Sequence, residues 1–138
     1  KNIKSNKMKK TIKDKSRVEF QETISIDEPA VEYCERTYPK TCEEFKRIMQ
    51  EQYVLFCKKQ KNYGPGNISV GTDLKSDEDV KLSLTGLWFR MNDKIQRLKQ
   101  LIVLGHKDTV GESEKDTFQD LSVYGIIAQL VSTKIWGK

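Results

Sequence analysis

Histidine is almost missing from this chain: of 138 residues only His106 is one. A two- or three-histidine metal centre is therefore excluded, and so is a conventional zinc finger. Cysteine is scarce and unpatterned. Cys34, Cys42 and Cys57 are odd in number and share no CxxC spacing, which argues against a secreted disulfide scaffold and fits reduced thiols. No run approaches the roughly 18–20 apolar residues that span a bilayer. The first residues contain no apolar stretch of the signal-peptide kind, so a cytoplasmic protein with no membrane partner is expected. No GxxxxGK[ST] loop and no GxSxG elbow occurs, which removes the Walker and serine-hydrolase readings. Any metal has to be held by carboxylates, which favours Mg²⁺ or Mn²⁺.

What the chain has in quantity is charge. Charged residues make up 33% and apolar ones 36%, with a net charge of +5. The excess is local. Residues 1–17 hold eight cations against one acid, so the other 121 residues sum to −2. A solvated, flexible basic tail is expected there, with a nucleic-acid arm as its functional alternative. The tail lacks the aromatic interleaving that stacks bases. The modest apolar share predicts one small core, completed by a homo-oligomer.

Residues 18–40 form an N-terminal extension. Val18–Ile26 alternates like a short strand, Pro29 and Pro39 punctuate it, and a short helix over Val31–Tyr38 is compatible with the pattern. Helical periodicity then dominates 41–138. A first long helix is expected over about Cys42–Lys61, opened by a Thr41/Glu44 capping box, with Phe45, Ile48, Met49, Gln52 and Phe56 at helical spacing. Gly64-Pro65-Gly66 stops it. A second is expected over Asp77–Leu104, with Leu84, Trp88, Met91, Ile95, Leu98 and Ile102 as its inward stripe. A third is expected over Glu112–Thr133, with Leu121, Tyr124, Ala128 and Val131 inward. The fold expected is all-α: a bundle of three long helices plus the extension.

Two charged stripes carry the chemistry. Glu112, Asp116 and Asp120 recur four apart, which on a helix sets three carboxylates side by side and in line with inward-facing residues. Such neighbours repel unless a positive charge sits among them, and a divalent cation supplies one. The competing reading is an acidic first turn that complements the helix dipole, which accounts for Asp116 better than for Asp120. On the second helix Arg90, Lys94 and Arg97 share one side, bracketed by Leu87 and Leu101. Guanidinium groups grip phosphate bidentately and lysine adds a point charge. Ion pairing, with Asp93 or with the acids of the third helix, is the even alternative. Glu44 and Glu51 share a stripe on the first helix and are secondary candidates.

Three segments also follow a known pattern in order. Lys59-Gln60-Lys61-Asn62-Tyr63-Gly64 resembles K-x-x-D-Y-G. Gly86-Leu87-Trp88-Phe89-Arg90-Met91-Asn92-Asp93-Lys94-Ile95-Gln96-Arg97-Leu98 resembles G-L-x-x-R-x-x-D-K-x-x-R-L. The stretch from Glu112 to Tyr124 resembles E-S-x-x-D-T-x-x-D-L-x-x-Y. The trio, over roughly residues 41–136, resembles the phage and bacterial family called nucleotide modification associated domain, type one, itself similar to the MazG-like all-α nucleoside triphosphate pyrophosphohydrolases. The resemblance implies a Mg²⁺-dependent (deoxy)nucleotide-binding protein of a bacterial or phage-infected cell, and first of all a nucleoside triphosphate pyrophosphohydrolase-like enzyme that releases a nucleoside monophosphate and pyrophosphate. Lys59, Tyr63, Arg90, Lys94 and Arg97 would hold substrate, with Trp88 also near the base. Glu112, Asp116, Asp120 and Asp93 would hold the metal, and Asp116 and Asp120 would act in catalysis. Asn62 stands where that pattern has aspartate, which points to the alternative of a non-catalytic binder: a sequestering, regulatory or counter-defence protein, or an accessory to base modification.

Overall fold

The structure, a computed structural model, describes residues 28–138; the basic tail and the strand expected over Val18–Ile26 lie outside the described residues. Everything regular among the described residues is helical: α1 (Glu28–Thr37), α2 (Pro39–Tyr63), α3 (Gly66–Ser69), α4 (Asp77–Leu98), a π-helical turn (Lys99–Val103) and α5 (Glu114–Ser132). The chain divides into two compact units, residues 1–50 and 51–138, with the division inside α2. No helix among the described residues is long and apolar enough to cross a membrane.

In the first unit α2 starts earlier than the Thr41/Glu44 capping box predicts. Tyr38 O already accepts from Cys42 N at 3.0 Å, so Pro39 takes the first helical position, where its missing N–H costs nothing. Thr41 is thereby inside the first turn, and Glu44 turns to Arg47, whose Nε donates to Glu44 Oε2 at 2.8 Å. A second ion pair, Lys46 with Glu35, joins α2 to α1.

In the second unit each long helix begins on a serine. Ser76 Oγ accepts from Asp79 N at 3.1 Å, and Ser113 Oγ accepts from Asp116 N at 3.0 Å. Each satisfies a donor that the first helical turn cannot. Asp77, Glu78 and Asp79 then complement the positive end of α4. At its far end α4 widens: Leu104 N donates to Lys99 O, five residues back, and His106 N to Gln100 O, six back. Gly105, at φ +67°, makes the left-handed reversal that this closure needs.

α4 and α5 pack together, and α3 packs on α4. The core is Ile68, Leu74, Leu87, Ile127, Val131 and Trp136, with Phe56, Val80, Leu84, Tyr124 and Ala128 against it. Trp136 closes its end, with Nε1 donating to Pro65 O at 3.0 Å and its ring edge-on to Phe56.

The inward face of α4 is not the expected one. Leu87 is 2% exposed and Ser83 fully buried, whereas Trp88 is 59% exposed and Ile95 51%. The helix is turned by about one residue, roughly 100°. Ser83 explains part of this, since its hydroxyl donates to Ile68 O at 2.7 Å and so meets the core with its polarity satisfied. The rest comes from charge. The side carrying Lys94 and Arg97 faces α5, and its cations find acids there.

Candidate functional site

That face of α4 forms one wall of a cleft lined by Arg90, Asp93, Lys94, Arg97, Glu112 and Tyr124, with a volume of about 350 Å³. Its centre is Lys94. The ammonium lies 2.8 Å from Glu112 Oε1 and 2.9 Å from Asp120 Oδ2. All three side chains are half-buried. Hydrogen bonding to Glu112, and then to Asp120 with the charge of both, outweighs partial burial and raises the Lys94 pKa. Lys59 approaches Asp120 from α2, with Nζ 3.4 Å from Oδ1.

Arg97 serves the loop between α4 and α5. Its guanidinium donates to the Glu112 carbonyl, to Thr117 Oγ1 at 3.2 Å and to Asp108 Oδ1 at 3.3 Å, and Nε lies 3.6 Å from Glu112 Oε2. Asp108 in turn accepts from Val110 N at 3.2 Å and Gly111 N at 2.8 Å. Those backbone donors, Val110 first, together with Arg97, lower the Asp108 pKa. With so many donors committed, Arg97 fixes the turn that carries Glu112.

Arg90 is differently placed. Nη2 donates to Asn67 O at 2.9 Å, and among the described residues no carboxylate pairs with it. Asp93, three residues on, lines the cleft and pairs with neither Arg90 nor Arg97. Among the described residues the cleft thus holds one cation, Arg90, and one anion, Asp93, without an ion-pair partner.

Of the residues singled out in the sequence, Arg90, Asp93, Lys94, Arg97 and Glu112 line the cleft, and Asp120 and Lys59 join it through ion pairs. Three do not. Asp116 is exposed, and its backbone N–H is spent on the Ser113 cap. Tyr63 ends α2 and is two-thirds exposed. Trp88 lies on the other side of α4, along a separate hollow with Leu84 and Thr85. Nor do the three acids share one helical face: α5 begins at Glu114, so Glu112 precedes the cap and reaches Lys94 from the loop. The spacing is right, but Ser113 is the better helix start, and the helix obeys the cap. Tyr124 is the aromatic side chain in the cleft, and Asp108 and buried Thr117 are its unforeseen supports.

A divalent cation does not fit the carboxylates as they are arranged. Among the described residues no three histidine, cysteine, aspartate or glutamate side chains converge as ligands. The oxygens of Glu112 and Asp120 that would bind it embrace the Lys94 ammonium instead. The positive charge that the acidic stripe demands is present, and lysine supplies it. No family model, no curated protein and no solved structure matches this chain.

Proposed function

We propose that this cleft binds the phosphate of a (deoxy)nucleotide and does so without turning it over, as the non-catalytic alternative has it. The observation that carries the reading is Arg90. It is half-buried, held in place by a single bond to Asn67 O, and open to the cleft beside Lys94. A guanidinium so fixed offers phosphate its remaining donors with little entropy left to lose. Asp93 supplies an acceptor for a sugar hydroxyl or a base N–H. Tyr124 supplies an apolar ring edge, and the volume lies at the lower end of the range for ligand pockets. One uncompensated cation suits a ligand of low charge, a monophosphate ahead of a triphosphate. Arg90 reaches Asn67, three residues past Gly64, and Lys94 reaches two of the three acids of the expected stripe, Glu112 and Asp120, so the cations of α4 gather polar groups from the segments on both sides of it.

Calorimetric titration of nucleoside mono- and triphosphates, with Mg²⁺ and with chelator, tests the reading. Binding should persist in chelator and weaken at least tenfold in Arg90→Ala. Absence of binding, or an unaffected Arg90→Ala, sinks it. The pyrophosphohydrolase alternative draws on Asp93, an unneutralised acid inside the cleft. It requires Lys94 to release Glu112 and Asp120, and Mg²⁺-dependent release of pyrophosphate from a triphosphate would establish it instead.

A further inference from the structure

The open cation of the cleft, Arg90, rests on a carbonyl that belongs to a single helical turn. Asn67 O, which accepts from Arg90 Nη2 at 2.9 Å, lies in α3, within the connection between α2 and α4. So short a helix has too few bonds of its own to hold its place. Its place is set from outside. Four carbonyls of residues 64–76 accept from side chains beyond the segment: Pro65 O from Trp136 Nε1 at 3.0 Å, Asn67 O from Arg90, Ile68 O from Ser83 Oγ at 2.7 Å and Lys75 O from Lys134 Nζ at 3.0 Å. The segment needs this hold. Val70 and Leu74 stand in the left-handed region at φ 54° and 55°, a conformation that a β-branched or bulky residue keeps only where its surroundings over-determine it.

We propose that Trp136, which lies outside the cleft, is a positioning residue for it: by holding Pro65 O the indole fixes Asn67 O, and through that carbonyl it aims Arg90 at the phosphate. The inference rests on the reading above that Arg90 grips phosphate. Pro65 O also accepts from Ile68 N at 3.2 Å and from Ser69 N at 3.1 Å, the bonds that close α3. The indole N–H thus holds the oxygen on which the turn bearing Asn67 is built. The indole itself is firmly seated. It is 6% exposed and edge-on to Phe56, and it follows a turn after α5 in which Ile135 N and Trp136 N both donate to Leu130 O, at 3.0 and 3.2 Å. The approach is close as well: a Cβ at Gly137 would lie 3.0 Å from Pro65 Cβ, so the residue after the tryptophan packs on the same proline. Ser83, fully buried, secures the other side of Asn67 at Ile68 O. Between two fixed carbonyls, Asn67 O has one position to offer. Arg90 then meets phosphate with its side chain already oriented and loses less freedom on binding. Lys134 is the contrast. It holds Lys75 O and Asp77 at the far end of the connection, beside the start of α4, and does not bear on Asn67.

Nitrogen–proton NMR reads the brace without ligand, because coupling between two holds on one segment runs both ways. In Trp88→Phe the one remaining indole N–H is that of Trp136. In that background Arg90→Ala should shift the indole signal and speed its exchange with solvent, while Lys81→Ala, an exposed change on the same helix, leaves it in place. Calorimetry with the common deoxynucleoside monophosphates reads the consequence. Trp136→Phe, which keeps an aromatic ring and loses the N–H, should weaken binding about fivefold, the scale of one hydrogen bond. Added to Arg90→Ala, the same change should cost nothing further, and Lys134→Met should bind as the wild type does. An indole signal indifferent to Arg90→Ala overturns the proposal. So does wild-type affinity in Trp136→Phe, or an equal loss with and without Arg90. If the wild type binds no monophosphate, the phosphate reading falls, and the NMR arm alone decides whether Trp136 positions Arg90. That arm keeps Trp136 intact and stands even if Trp136→Phe fails to fold.

Discussion

Lys94 and Glu112, eighteen residues apart in sequence, are joined by a 2.8 Å hydrogen bond between a half-buried ammonium and a carboxylate in the loop before α5. The bond makes the cation of one helix the counter-ion of an acidic pair, because the same ammonium also holds Asp120. Removing it tests what the acids would otherwise do. In Lys94→Ala, Glu112 and Asp120 lose the ammonium they share and keep only their longer pairs, with Arg97 at 3.6 Å and Lys59 at 3.4 Å. The expected loss is about 1–3 kcal/mol by chemical denaturation, the scale for removing a charged hydrogen-bond partner from half-buried groups. Mg²⁺ should then raise the melting temperature of Lys94→Ala while leaving that of the wild type unchanged. Equal responses in the two proteins would show that lysine does not hold the place of a cation.

The pH dependence of stability separates two of these groups. Lys94 has a raised pKa, caused first by Glu112, so its contribution is complete below the ordinary lysine value of 10.5 and is lost as pH rises through the higher folded value. Asp108 has a lowered pKa, caused first by the Val110 N–H, so its contribution is present above the ordinary value of 3.8 and is lost as pH falls through the lower folded one. Denaturant midpoints measured against pH should therefore lose part of their alkaline fall in Lys94→Met and part of their acid fall in Asp108→Asn. A titration curve of unchanged shape in either variant contradicts the assignment.

The helix order was readable because its signals are local. Gly64-Pro65-Gly66 and Gly105 stop helices by backbone geometry alone, and long apolar periodicity runs between them. The opposition of Lys94 to Glu112 and Asp120 was readable for a similar reason: cations bracketed by Leu87 and Leu101 are placed to meet an acidic helix. The facing of α4 was not. By pattern, Trp88, Ile95 and Ile102 outrank a face made of Ser83, Arg90, Lys94 and Arg97. A polar face becomes the inner one only when a neighbour satisfies it, and those partners lie 15 to 26 residues away. Tyr124 in place of Tyr63 has the same origin, since both are aromatic residues in motif positions and only packing decides between them.

That facing makes a direct prediction. Leu87→Ala removes a buried side chain from the contact with α5 and should cost about 2–5 kcal/mol. Trp88→Ala, measured at concentrations where the chain is monomeric, should cost less than about 1 kcal/mol, as a largely exposed position does. Paired urea titrations give both numbers. A larger loss at Trp88 than at Leu87 would mean that the helix is turned the other way.

Ser113 couples stability to the cleft. Its hydroxyl caps α5 through Asp116 N, and its neighbour Glu112 is the residue that Lys94 and Arg97 hold. Ser113→Ala should lower stability by about 1 kcal/mol through the lost cap. Ser76→Ala should cost a similar amount at the start of α4, where Ser76 Oγ accepts from Asp79 N. The two variants differ in what else they disturb. Fraying the first turn of α5 frees Glu112 from its fixed path and loosens the anchor of Lys94 beside Arg90, whereas fraying α4 at Ser76 leaves the cleft-lining residues in place. Nucleotide affinity should therefore fall in Ser113→Ala and hold in Ser76→Ala at matched stability. If calorimetry finds the two variants equal in affinity, the loop carrying Glu112 does not shape the binding cleft.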